Sequence, residues 1–162
     1  MFPMKRQTYR FSPITTAAEL TEAVGYVANA TQELSQTVLG EAYPISFLTI
    51  FSHYESECEC LVELLGELGE RSEANNGVKC VPRETIDGVP ESVQALRIRQ
   101  PDPYRTQVGC CDLVVDEYAA FKKRYLGSTQ YVRCIERPEY EMLEVFHPDF
   151  DVFAYVVSTN LP

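Results

Sequence analysis

A chain of 162 residues is the length of one ordinary domain, and a hydrophobic content of 45% with 11% aromatic residues excludes a disordered polymer, whose mark is low hydrophobicity with high charge. The formal charge of −10 repels nucleic-acid phosphates and anionic lipid, so neither is expected as a partner. No apolar run approaches the ~20 residues that span a bilayer, and the opening MFPMKRQTYRF lacks the apolar core of a secretion signal, so a soluble, cytoplasmic protein is expected.

In chain order, residues 7–12 read as a short strand closed by Pro13. Thr16 to Glu19 has the capping-box pattern, and Leu20, Val24, Val27, Leu34 and Val38 form one apolar stripe, which predicts a helix up to about Leu39 with Gly40 as its stop. Residues 45–51, ISFLTIF, read as a buried strand. Ser52 to Glu55 is a second capping-box pattern, followed by an amphipathic helix with Leu61, Leu65 and Leu68 inward and a glutamate-rich face expected in solvent, ending at Gly69. The polar stretch 71–77 reads as a turn, and residues 78–86 and 92–100 as an antiparallel hairpin around Asp87-Gly88.

Across Pro101-Asp102-Pro103 that strand meets the nearly continuous apolar run 108–115, which predicts a central strand beside a half-exposed one. Asp116 is the expected cap of a short helix in which Tyr118, Phe121 and Tyr125 share a face, stopped by Gly127. Residues 131–136, 140–146 and 152–158 complete the set as strands. Runs of strands between helices predict an α+β fold: a mixed, mainly antiparallel, curved sheet with three helices. One domain spanning 1–162 is expected, with an N-terminal strand and helix (1–44), a first module (45–106) and a second (107–160).

Two segments echo each other, LRIRQPD at 96–102 and LEVFHPD at 143–149, each a strand running into Pro-Asp downstream of a strand-helix pair. The chain therefore reads as two related βαβββ-like modules. With HPDFDVFAYVV at 147–157 as a closing turn and strand, it resembles the glyoxalase/vicinal-oxygen-chelate superfamily over about residues 45–158. That resemblance implies a pocket for a small molecule. Neither 45–51 nor 108–115 begins with the His or Glu that it would supply as a metal ligand, and the first module lacks a fourth strand unless residues 7–12 provide it.

His53 and His147 are the only histidines, each following a strand, and with Glu144 or Glu141 they are the candidate ligands for a divalent metal, the one cofactor these side chains would serve. Arg97 and Arg99 share a strand face, with Tyr104 and Arg105 just beyond the proline turn, so their guanidinium forks are candidates for gripping a carboxylate or phosphate, with Glu144 as a further site residue. Ion pairing on a solvated sheet face is the structural alternative for the arginines. The six cysteines, at 58, 60, 80, 110, 111 and 134, match no zinc or redox spacing and read as reduced thiols. No phosphate loop, nucleophile elbow or metalloprotease helix occurs, so no reaction follows from the sequence. The functional expectation is a protein that binds or converts a small molecule, a homodimer being compatible with it. The alternative is a non-catalytic interaction domain using acidic helices and an exposed sheet face.

Overall fold

The computed structural model describes residues 9–74, 77–102 and 104–158. Helix α1, Ala17–Leu39, begins at the expected cap: the Thr16 hydroxyl accepts from the Glu19 amide at 3.2 Å, and the Glu19 carboxylate accepts from the Thr16 and Thr15 hydroxyls at 2.9 and 3.0 Å. Those hydroxyls hold the Glu19 carboxyl below its ordinary range. The helix stops at Gly40, whose φ of 81° is the left-handed conformation that glycine adopts without a Cβ clash.

The strands follow as β1 (Ile45–Phe51), β2 (Gly69–Ala74), β3 (Gly77–Pro82), β4 (Ala95–Arg99), β5 (Gly109–Leu113), β6 (Val132–Glu136), β7 (Glu141–Val145) and β8 (Val152–Val157), with α2 (Glu55–Leu68) after β1 and α3 (Tyr118–Tyr125) after β5. They form one open sheet in the order β2-β3-β4-β1-β5-β8-β7-β6, with β2 and β6 as its edges. Among the described residues β1–β4 and β5–β8 are the parallel strand pairs, and the other five pairs are antiparallel. The fold is therefore α+β with a mixed, mainly antiparallel sheet and three helices, as the alternation of strand and helix signals predicts.

The sheet divides into two units of identical connectivity. In the first, β1 leads through α2 to β2, β3 and β4, and β4 returns parallel to β1; in the second, β5 leads through α3 to β6, β7 and β8, and β8 returns parallel to β5. The units meet where β1 and β5 pair antiparallel. The strand that the first unit lacks at sequence level is β2, which starts at the expected helix stop Gly69 and runs into the stretch read as a turn. Its sequence GERSEA carries no apolar alternation because an edge strand can leave most of its side chains in solvent, and its ladder with β3 supplies the stability that its side chains do not. Residues 9–12 are not a strand, and 7–8 lie outside the described residues.

Other expectations shift with the topology. β4 and β5 are not neighbours: β1 lies between them, so the proline-bounded turn carries the chain past a strand rather than into a ladder. The LRIRQPD and LEVFHPD echo aligns β4 with β7, whereas the topological counterpart of β4 is β8. β3 ends at Pro82, and a longer loop containing Gly88, φ 81°, replaces the tight hairpin to β4. Ser52 does not cap α2 and instead donates to the Arg99 carbonyl at 2.6 Å; α3 starts from Glu117, without a side-chain cap, rather than from Asp116.

All three helices lie on one face of the sheet. Leu48 and Ile50 of β1, Leu96 and Ile98 of β4, Cys111 and Leu113 of β5, Leu143 and Val145 of β7, and Ala154 and Val156 of β8 form one core with Leu20, Val24, Val27 and Leu34 of α1 and Leu61 and Leu65 of α2. α1 crosses the seam between the units, against β1, β5 and β8. Gly109 is needed there mainly by β1, since a Cβ would stand 2.2 Å from the Thr49 carbonyl oxygen, and it also eases the contact with α1, where Val27 Cγ2 would be at 3.1 Å.

Candidate functional site

Strand alternation sends every second side chain to the opposite face, which no helix covers. From the central strands it carries Phe47, Thr49 and Phe51 of β1, Arg97 and Arg99 of β4, Cys110 and Asp112 of β5, and Phe153 and Tyr155 of β8; Glu144 of β7 and Arg133 of β6 continue it outward. Phe51, Cys110 and Phe153 are buried and form a small second core with Phe146 and Tyr155. Arginines lie over the rings: Arg97 over Phe47 and Arg99 over Phe51, both at 4.3 Å, Arg133 over Phe146 at 4.7 Å and Arg105 over Phe153 at 5.4 Å.

The carboxylates among these arginines have unequal surroundings. Glu144 is fully buried, accepting from Tyr155 Oη at 2.7 Å and from Arg133 Nε at 2.7 Å, with a second Arg133 nitrogen on the same oxygen. Burial, then the neighbouring Cys110 and Glu144 charges and the Glu144 hydrogen bond, pushes the Tyr155 hydroxyl far up, so it stays a donor. Asp112 has Arg97 Nη1 at 3.5 Å, its only cation within 4 Å among the described residues. Burial raises the Asp112 carboxyl to about 6, with the Arg97 charge pulling the other way. Arg99 and Arg105 share Asp102 at the rim, at 3.1 and 3.8 Å. Arg97 Nε is buried with no hydrogen-bond partner among the described residues.

The sequence-predicted ligand residues Arg97, Arg99, Arg105 and Glu144 are thus brought to one face. Tyr104 is not: its side chain is 93% exposed, and only its amide is tied in, to the Asp102 carboxylate at 3.0 Å. Asp112, Tyr155, Arg133 and the three rings Phe47, Phe51 and Phe153 escaped the sequence reading. Asp112 left a signal, a carboxylate inside an apolar strand, where an unpaired charge would be costly.

The histidines stand in separate surroundings. His53 is buried, stacked on Tyr9 at 3.9 Å, with Nε2 against the Gln107 carbonyl at 3.0 Å and Nδ1 against the Ser12 hydroxyl at 2.6 Å. A carbonyl only accepts, so Nε2 carries the proton and Nδ1 accepts from Ser12. Burial lowers the His53 pKa, which keeps the ring neutral near pH 7. His147 packs on Tyr131 at 4.5 Å, and its Nδ1 accepts from the Asp149 amide at 3.1 Å within the turn. Glu141 faces the helix side, paired with Lys122 Nζ at 2.8 Å; the hydrogen bond from Cys134, then that from Lys122, lowers its carboxyl to about 2. A divalent metal therefore does not fit the donors present: both His53 nitrogens are engaged, and no group of three His, Cys, Asp or Glu side chains among the described residues could hold the ion.

Glu57 also departs from its expected place on a solvated acidic face. It is 1% exposed, and its carboxylate accepts from the Ile14 amide at 2.6 Å and the His53 amide at 2.7 Å, fastening the N-terminal segment to the end of β1. All six cysteines are free thiols. Burial raises Cys110 strongly and Cys111 to about 12, which leaves both protonated and poorly nucleophilic.

The class defined by this geometry is an α+β protein of two βαβββ units sharing one open sheet, helices on one face and an arginine-aromatic surface on the other. No protein-family model and no curated protein sequence matches the chain. A solved structure described as "Structural Genomics, Protein EC4020" is similar to it, with a TM-score of 0.63 at 13% identity, covering 88% of this chain and 87% of that one. At that identity the likeness shows the fold alone. Among the described residues no helix is long and apolar enough to cross a membrane.

Proposed function

We propose that the open sheet face binds a small molecule bearing a carboxylate or phosphate, and that the chain is a divergent relative of the glyoxalase/vicinal-oxygen-chelate superfamily acting without the metal. The duplicated βαβββ connectivity supports the kinship. The observation that carries the binding reading is Arg97: its guanidinium is seated over Phe47 beside a cluster of buried rings, yet its Nε is buried with no hydrogen-bond partner among the described residues. A buried donor left unpaired costs about 1–3 kcal/mol, and a ligand oxygen would relieve that cost. In an acidic chain such a surface is a local exception. The proposal is one of binding and assigns no reaction.

Thermal-shift screening of small carboxylates and phosphates, followed by calorimetry on wild type and Arg97→Lys, tests it. A ligand that raises the melting temperature and binds Arg97→Lys more weakly is expected, because lysine keeps the charge and loses the planar fork. Equal affinity for both proteins would reduce Arg97 to an ordinary sheet-surface residue. Val81 at 66% and Tyr104 at 93% exposure favour the second reading, a protein-interaction surface. Affinity capture of a stoichiometric partner that depends on these two side chains is its test.

A further inference from the structure

Resting on that reading, we infer that anion binding to this face is coupled to proton uptake, with Asp112 as the group that takes the proton as the anion engages Arg97. The geometry lies in one row of the sheet. Phe47 pairs with Asp112, Asp112 with Tyr155, Tyr155 with Glu144 and Glu144 with Arg133, so five side chains stand abreast on the open face. Within the row Glu144 accepts from three donors, whereas among the described residues the Asp112 carboxylate has one long contact. Arg97 offers Asp112 only Nη1 and its side chain is 27% exposed, so an incoming oxygen pair would take the remaining edge of the guanidinium by a small shift of the side chain that brings the buried Nε to it.

An anion seated on that edge draws on the same guanidinium charge that now offsets Asp112, and places a second negative charge beside it. Both effects favour the neutral carboxylic acid, and a group already three-quarters shielded from solvent takes the proton rather than move out. The other ionisable or charged groups facing Asp112 come from strands of the same sheet. From β8, Tyr155 stays protonated, and from β5, Cys110 does too, each raised first by burial. From β7, Glu144 is neutralised by Arg133 of β6; from β4, Arg99 is paired with Asp102; Lys79 of β3 lies opposite Arg97 as a further cation. β1 contributes only Phe47, Thr49 and Phe51, and the helices lie on the far face.

The sign follows from linkage. The free protein holds Asp112 half-protonated at about pH 6, and the complex holds it protonated to higher pH, so affinity is greatest below about 6 and falls up to tenfold per pH unit above it, until the pKa of the complex is passed. The experiment is calorimetric titration of the full chain with sulfate and with benzoate, neither of which titrates near neutrality, in buffers of different ionisation enthalpy at about pH 7, and across about pH 6 to 8. Uptake of a sizeable fraction of one proton per anion, lost in Asp112→Asn together with the pH dependence, is expected. Binding without proton uptake, or with the same uptake in Asp112→Asn, overturns the inference and leaves the anion site standing. Should the variant not fold, proton count and pH slope in the wild type decide alone. Absence of binding by either probe, or binding unchanged in Arg97→Ala, overturns the underlying anion reading itself.

Discussion

The two faces of this sheet are built from the same eight strands and do opposite things with them. On the helix side, aliphatic residues from every layer interlock, and at Gly109 a Cβ would collide with the Thr49 carbonyl of β1 and press on Val27 of α1. On the open side, rings, guanidinium groups and carboxylates share the space, and their charges are matched unevenly: fully at Glu144, loosely at Asp112. A helix-covered face stabilises by burying area, roughly 25 cal/mol per Å² of apolar surface. The open face instead holds polar and charged groups partly away from water, where each depends on the partners its neighbours supply. The difference separates residues that hold the fold from residues available for function.

The comparison breaks most readily at Leu65. It is fully buried on the inner stripe of α2, and Leu65→Ala is expected to lose about 2–5 kcal/mol in chemical denaturation; a loss under about 0.5 would place the stripe at the surface. Glu57→Ala comes next, at about 2–4 kcal/mol, because it strands the Ile14 and His53 amides in a buried setting. The exposed Glu63→Ala on the same helix is expected to move stability by less than about 0.5 kcal/mol, so equal effects at 57 and 63 would refute the distinction between them.

On the open face the sign reverses. The Asp112 pKa is raised on folding, so its charge disfavours the folded state above about pH 6, and that penalty fades as pH falls toward the unfolded value of about 4. Asp112→Asn should therefore gain about 1–2 kcal/mol near pH 8 and lose that advantage near pH 4, as read from denaturation curves at the two pH values. A loss of stability near pH 8 would mean that Arg97 stabilises the charged aspartate by more than burial costs it. The smallest effect is expected at Arg97→Lys, within about 0.5 kcal/mol in stability, with anion affinity reduced roughly tenfold. A large stability loss there would make Arg97 part of the fold rather than of a site.

What could be read from the chain itself followed from local chemistry. The Thr16 box, the left-handed Gly40, the apolar stripe of α1, the strand ISFLTIF and the shared face of Arg97 and Arg99 each depend on residues a few positions apart, where helical and strand periods act directly. Tertiary structure decided the rest. β2 is a strand because β3 supplies its hydrogen-bonding edge, not because GERSEA favours one, and β4 lies away from β5 because β1 takes the position between them. Glu57 and Glu63 look alike in a helix rich in glutamate; only the arrival of the Ile14 and His53 amides makes one of them a buried anchor. Asp112 and Glu144 are likewise equivalent as letters, and what separates them is the number of side-chain donors that neighbouring strands bring within reach, three at Glu144 and one at Asp112 among the described residues. Pairing across a sheet is set by the competition of whole strands for neighbours, and that competition has no local imprint.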